Sequence, residues 1–159
     1  MFRRGRHIGL AAVSQNRRSL VMVDLNPAAC TLAVHNIAAA GMGDRVEVRQ
    51  GRIDEMLEWD ERFSVIIADP PWVPTADIVQ FPQDPTIAID GGADGLDLAR
   101  TACAVIHAHL AIGGSAVLQL GSSEQVDAMD VYLDRDLGSD LGVAEVRHFD
   151  RGVLVRLER

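Results

Sequence analysis

Short apolar runs ending in acidic or turn-forming residues alternate with longer segments of helical periodicity along most of the chain. Ser19-Leu20-Val21-Met22-Val23 ends in Asp24, and after Leu25-Asn26-Pro27 an alanine-rich segment continues to Ala40. This pattern predicts strand, turn and helix, with Asn26 as N-cap, Pro27 at the first helical position and Gly41 or Gly43 as the stop. Residues 45–49 alternate around Val46-Glu47-Val48, which predicts a strand nearer a sheet edge, and Gly51 to Trp59 forms a connection. Phe63-Ser64-Val65-Ile66-Ile67-Ala68 is an apolar run that predicts a buried parallel strand. Val73 to Gly92 is polar and proline-containing, and too long for an ordinary connection, so it predicts a functional or mobile loop. Asp94 is placed to cap a helix from about Gly95 to Leu110, with Leu98, Ala102, Val105, Ile106 and His109 on one face and Gly113-Gly114 at its end. A strand over 115–120, a helix over 124–133 and a terminal antiparallel hairpin around Asp150-Arg151-Gly152 complete the pattern. The expected fold is a doubly wound α/β sheet whose last strand runs antiparallel.

Length and composition narrow the function classes. The 159 residues, 48% hydrophobic, suit a single domain over 1–159 with a substantial core. A formal charge of −8 argues against broad affinity for nucleic-acid phosphates. Arg3, Arg4, Arg6, Arg17 and Arg18 cluster near the start and read as a solvated segment. Cys30 and Cys103 are the only cysteines, which gives no support to a disulfide framework and points to the cytoplasm. No apolar run has the length of a membrane span. The five histidines, His7, His35, His107, His109 and His148, do not match the spacing of a recognised metal site, so no metal is expected. Trp59 is expected to fill space beneath its connection.

Chemistry is expected where the apolar run ends, at Asp69-Pro70-Pro71-Trp72. In an open α/β sheet the ligand crevice lies beyond the carboxyl ends of the strands, and two prolines fix the backbone as it leaves the sheet. Asp69 and nearby carbonyls can accept hydrogen bonds from a planar amide or amino NH2, and the Trp72 indole can stack on a flat substrate. The tetrapeptide can also be read as a strand-ending turn. Asp24, at the end of an earlier strand, suits either a nucleotide-like ribose or a helix-flanking role. Gly91-Gly92 and Gly95 fit turns as well as a cofactor pocket.

Asp69-Pro70-Pro71-Trp72, then Asp84-Pro85, then Asp90-Gly91-Gly92-Ala93-Asp94-Gly95-Leu96-Asp97-Leu98-Ala99-Arg100, resemble the S-adenosylmethionine-dependent methyltransferases that modify glutamine in peptide-chain release factors. The wider group carries an Asn/Asp-Pro-Pro-aromatic motif, and the resemblance runs from about Ile8 to Leu157. It implies that S-adenosylmethionine is the cofactor, that Asp24, Leu25, Gly51, Arg52 and Ile53 adjoin its adenosine part, and that Asp69 to Trp72 hold the target nitrogen with Asp69 also next to the cofactor. It implies a protein partner such as a release factor. The alternatives are an amino group of nucleic acid as methyl acceptor and an inactive truncated domain.

Two departures qualify the resemblance. The glutamine-modifying enzymes usually carry Asn and Tyr where this chain has Asp69 and Trp72, and Asp is more familiar in enzymes acting on nucleic acids. The family also begins its catalytic domain with a strand and a Gly-rich loop that receives the methionine part of the cofactor, whereas His7 to Val13 resembles the helix that follows them. The expectation is an N-terminally incomplete domain. The first central strand would be missing between the 20–24 and 63–69 strands, leaving a gap of about 10 Å or forcing those two to pair.

Overall fold

The computed structural model describes residues 9–11, 13 and 18–159. Of the arginine cluster, Arg3, Arg4, Arg6 and Arg17 lie outside the described residues, as do His7, Ile8 and Ala12. Gly9, Leu10, Ala11 and Val13 are helical, in accord with a helix over that segment. The chain divides into two compact units, Met1–Glu58 and Trp59–Arg159.

In the first unit, β1 (Leu20–Asp24) pairs in parallel with β2 (Val46–Gln50). Helix α1 (Pro27–Ala39) connects them, since parallel neighbours need a crossover. Its start follows the sequence signal: the Asn26 side chain accepts the Ala28 and Ala29 N–H groups at 2.9 and 3.4 Å, and Pro27 costs no helical hydrogen bond at that position. Gly41 has φ 64°, a left-handed conformation that suits glycine just past the helix end. Leu10, Val13, Ile37, Met42 and Val46 form a small core, with Leu20, Met22 and Val48 packed against it.

In the second unit, β3 (Phe63–Ala68) pairs in parallel with β4 (Leu110–Leu120). Strand β6 (Gly152–Glu158) runs antiparallel between β4 and β5 (Gly142–Phe149), giving the order β3-β4-β6-β5 and the expected terminal hairpin. Helices α3 (Asp97–His109) and α4 (Ser123–Val131) lie before and after β4, and one π-helical turn extends α4 to Asp136. The core joins Leu96, Ala99, Cys103 and Ile106 of the α3 segment to Ala116, Leu118 and Leu120 of β4 and to Val155 and Leu157 of β6. Leu118, 1% exposed on a central strand, sits in its middle. Leu118→Ala is expected to cost about 2–5 kcal/mol through lost burial and a residual cavity, measured as a lower urea midpoint at unchanged m-value.

Several expectations require correction. Strand β3 is parallel as predicted but only Ala68 is buried; Val65 and Ile67 remain 44% and 42% exposed. The physical reason is position, because β3 ends its sheet and a hydrophobic run alone cannot report whether a second neighbour covers it. The buried face of α3 is Ala99-Ala102-Cys103-Val105-Ile106 rather than one containing Leu98, which is exposed; the small side chains at 99, 102 and 103 allow the closer approach. Asp94 does not cap a first-turn amide of α3 but accepts the Leu96 N–H at 3.0 Å and pairs with Arg100. Strand β4 starts at Leu110, before Gly113-Gly114, because Leu110 already pairs with Phe63 ahead of a register shift. Trp59 is 85% exposed rather than buried, on a polar turn where Arg62 hydrogen-bonds its carbonyl at 3.0 Å. The Val73–Gly92 loop contains a 3-10 segment, Thr75–Gln80, and a short helix α2 (Thr86–Ile89). Among the described residues, β1 and β2 form a two-stranded sheet and β3 is an end strand of the four-stranded one.

Candidate functional site

Asp24 closes β1, and its Oδ1 accepts the Asn26 N–H at 2.8 Å, while Asn26 in turn caps α1. The Asp24 carbonyl accepts the Gly51 N–H at 3.1 Å, so Asp24 and Gly51 stand together at the carboxyl ends of β1 and β2. Leu25 is 56% exposed beside the carboxylate. Arg52 is committed locally: its guanidinium pairs with Asp54 at 2.7 Å and Glu55 at 3.3 Å. The hydrogen bond from Arg52 holds the Asp54 carboxyl below its ordinary value. Both are surface groups, and such pairs add little to stability. Ile53 is half-buried in the same turn. The Asp24 carboxylate presents a hydrogen-bond acceptor and the adjacent Leu25 an exposed apolar face.

The second group lies at the carboxyl ends of β3 and β4, where Ala68 is aligned with Leu118. Asp69 follows β3 directly. It keeps solvent-exposed surface, yet desolvation by surrounding atoms pushes its carboxyl above the usual carboxylate range. After Pro70-Pro71, the half-buried Trp72 has one edge of its indole over Gly121, the residue that follows β4; any Cβ there would collide with the ring. The following loop is tied back to its start. The Val73 N–H donates to the Ile89 carbonyl at 3.0 Å, the Gly91 N–H to the Val73 carbonyl at 2.9 Å, and the Thr75 hydroxyl to Asp90 at 2.8 Å.

Gly91, Gly92 and Gly95 resolve in favour of turn and close approach. Gly92 and Gly95 have φ 89° and 77°, a region open to glycine and strained for other residues. A Cβ at Gly91 would lie 2.6 Å from the Gly95 carbonyl oxygen, and one at Gly95 would collide with the Trp72 carbonyl oxygen. The Gly91–Gly95 segment is therefore packed against the backbone of the Asp69–Trp72 motif. Asp94 then carries a bidentate pair with Arg100 at 2.6 and 3.1 Å, which holds its carboxyl below the ordinary range. The Arg100 guanidinium lies 6.0 Å from the centre of the Tyr132 ring.

Of the residues the sequence nominates, the structure joins Asp24, Leu25 and Gly51 in the first unit, with Arg52 and Ile53 on the adjoining turn. It joins Asp69, Pro70, Pro71 and Trp72 to the glycine loop in the second. Sequence reasoning missed Gln125 and Gly121, which contact Trp72 from the β4 side. The available signal was positional: the Gly121-Ser122-Ser123-Glu124-Gln125 stretch follows a strand expected to carry the crevice at its carboxyl end. Cys103 is buried and its thiol is pushed up to about 12 by desolvation, far from a reactive state. Among the described residues no group of three or more His, Cys, Asp or Glu side chains is placed to hold a metal ion, and no helix is long and apolar enough to cross a membrane.

Comparisons with known proteins bear on this arrangement. No family model matches the chain. It is 33% identical over 141 residues to the ribosomal protein uL3 glutamine methyltransferase of Bordetella pertussis, covering 82% of this chain and 47% of that protein. It is 33% identical over 118 residues to the release factor glutamine methyltransferase of Geobacter sulfurreducens, covering 71% and 40%. The chain thus spans under half the length of these relatives. Its fold matches the ribosomal protein L11 methylase of Lactobacillus delbrueckii subsp. bulgaricus, with a TM-score of 0.63 at 15% identity over 94% of this chain and 62% of that one. It also matches the human methyltransferase 10 domain containing protein, with a TM-score of 0.58 at 11% identity over 94% and 63%. The fold is that of a Rossmann-like methyltransferase with a mixed sheet.

Proposed function

This chain is a sequence relative of the release-factor and ribosomal-protein glutamine methyltransferases, and we propose that it serves S-adenosylmethionine-dependent transfer of a methyl group to a planar amide nitrogen, most naturally a protein glutamine. The observation that carries the reading is the placement of a solvent-accessible carboxylate, Asp69, three residues before a half-buried indole, Trp72, at the carboxyl ends of two adjacent parallel strands. S-adenosylmethionine supplies an electrophilic methyl group. The chain's own residues supply recognition and orientation. Asp24 and Leu25 would hold the ribose and base, with Gly51, Arg52 and Ile53 bordering the adenine. Asp69 would accept an N–H of the acceptor and fix the direction of its nitrogen. Trp72 would set the plane of the acceptor group, and the Pro70-Pro71 backbone would keep both in register. Amide nitrogen is a poor nucleophile, so holding it in line is where such a site gains rate. A release factor or a ribosomal protein is the proposed partner, which would place the reaction in the cytoplasm.

Calorimetric titration with S-adenosylmethionine, followed by transfer of a labelled methyl group to a release factor, to ribosomal protein uL3 and to RNA and DNA, tests the reading. Saturable cofactor binding with label on a glutamine of either protein is expected. The presence of Asp69 where Asn is usual favours the second reading, a nucleic-acid amino group, and label appearing only on RNA or DNA would establish it. A folded chain that binds no cofactor and labels nothing would refute both.

A further inference from the structure

One side chain outside the Asp69–Trp72 motif hydrogen-bonds the Trp72 backbone and two segments beside it. Gln125 stands half-buried in the first turn of α4. Its Nε2 donates to the Trp72 carbonyl at 2.9 Å and to the Asp94 carbonyl at 3.1 Å, while its Oε1 accepts the Gly121 N–H at 2.7 Å. These bonds use both amide hydrogens and one oxygen lone pair. The opposite orientation of the amide would set its oxygen against two carbonyls and its NH2 against an N–H, so the network fixes which end points where. Ionised glutamate lacks the donors, methionine lacks the donors and offers only a weak acceptor, and lysine lacks the acceptor.

Two of the three partners lie in segments that approach Trp72 closely. Gly121 underlies the indole, Gly95 abuts the Trp72 carbonyl, and Asp94 adjoins Gly95 in the glycine loop. We infer that Gln125 is a positioning residue: it ties the end of β4, the glycine loop and the acceptor motif into one frame and thereby sets the orientation of the Trp72 ring. The inference rests on the methyl-acceptor reading of Asp69–Trp72 given above. Gln125 acts through Trp72, so its loss should appear as misplacement of the ring and a lower turnover.

The chain has two tryptophans, and Trp59→Phe leaves Trp72 as the sole tryptophan, excited selectively over Tyr132 at the red edge of the absorption band. In that background Gln125→Glu keeps the acceptor for Gly121 but sets a carboxylate against two carbonyls, and Gln125→Met keeps the length while removing the network. Each variant that retains the parent's circular dichroism is expected to raise the acrylamide quenching constant of Trp72 about twofold or more. Each should also lower kcat for methyl transfer by roughly tenfold to a hundredfold, with KM for the methyl donor changed by less than about threefold. Unchanged quenching in the folded variants overturns the inference whatever happens to kcat. Quenching requires no turnover, so a parent chain without methyl transfer would refute the proposed function while the fluorescence comparison still decides the role of Gln125.

Discussion

Asp69→Ala is expected to reduce methyl transfer by about a hundredfold to a thousandfold, the cost typical of removing one polar group that orients or stabilises the reacting centre. On the proposed reading, alanine would leave the acceptor nitrogen without a partner at the strand end, although Pro70, Pro71 and Trp72 would still shape the site. Asp69→Asn separates hydrogen bonding from charge, because the carboxamide oxygen still accepts an N–H but does not titrate. It should retain activity to within about tenfold. The two forms should then differ in pH dependence. Desolvation by surrounding atoms raises the Asp69 pKa above the usual carboxylate range, and only the ionised carboxylate serves as a full acceptor. Wild-type kcat/KM should therefore fall as pH drops through that raised pKa, and Asp69→Asn should lack this limb. The stability sign runs the other way. A carboxyl with a raised folded pKa contributes stability below its unfolded pKa and loses it as pH rises through the folded value. At neutral pH the ionised carboxylate is thus a cost to folding, and Asp69→Asn should be neutral to slightly stabilising. An Asp69→Ala enzyme with wild-type rates, or an acid limb that persists unchanged in Asp69→Asn, would remove Asp69 from the reaction.

The sequence was legible where local physics decides the outcome. The bounds of β3 follow from an uninterrupted apolar run, and the start of α1 follows from Asn26 and Pro27, because capping and ring geometry act within a few residues. The hairpin of β5 and β6 was legible for the same reason, with alternation on both sides of a short turn. Reasoning failed where the answer lay in another segment. Whether Val65 and Ile67 are covered depends on what adjoins β3, and whether Trp59 fills space beneath its connection depends on what packs against that polar turn, where it stays exposed. The site divides in the same way. Asp69 to Trp72 announce themselves by composition, but Gln125 is an ordinary helix residue until the fold brings it to the Trp72 carbonyl, 53 positions away in the chain. Gly91 and Gly95 were visible as glycines, while the reason for them became apparent only with the Trp72 backbone beside them.

Gly95→Ala is expected to be far more damaging than Gly113→Ala, which provides its control. The two glycines have nearly the same left-handed backbone, φ 77° and 74°. A Cβ at Gly113 would have no neighbour within 4 Å, whereas one at Gly95 would collide with the Trp72 carbonyl oxygen and approach Gln125 Nε2 to 2.5 Å. Gly113→Ala should therefore cost only the conformational strain of a left-handed alanine, about 1–2 kcal/mol. Gly95→Ala carries the same strain and also forces apart two backbone segments that Gln125 holds together, so a further loss of about 1–3 kcal/mol is expected. Urea unfolding of the two variants measures the difference with the dihedral contribution matched. Activity should divide more sharply than stability: Gly113→Ala should keep near-parental kcat, and Gly95→Ala should lose roughly a hundredfold because displacement of Trp72 reaches the acceptor position directly. Equal effects of the two substitutions on both measurements would mean that glycine at 95 serves only its turn, and that the glycine loop does not set the position of Trp72.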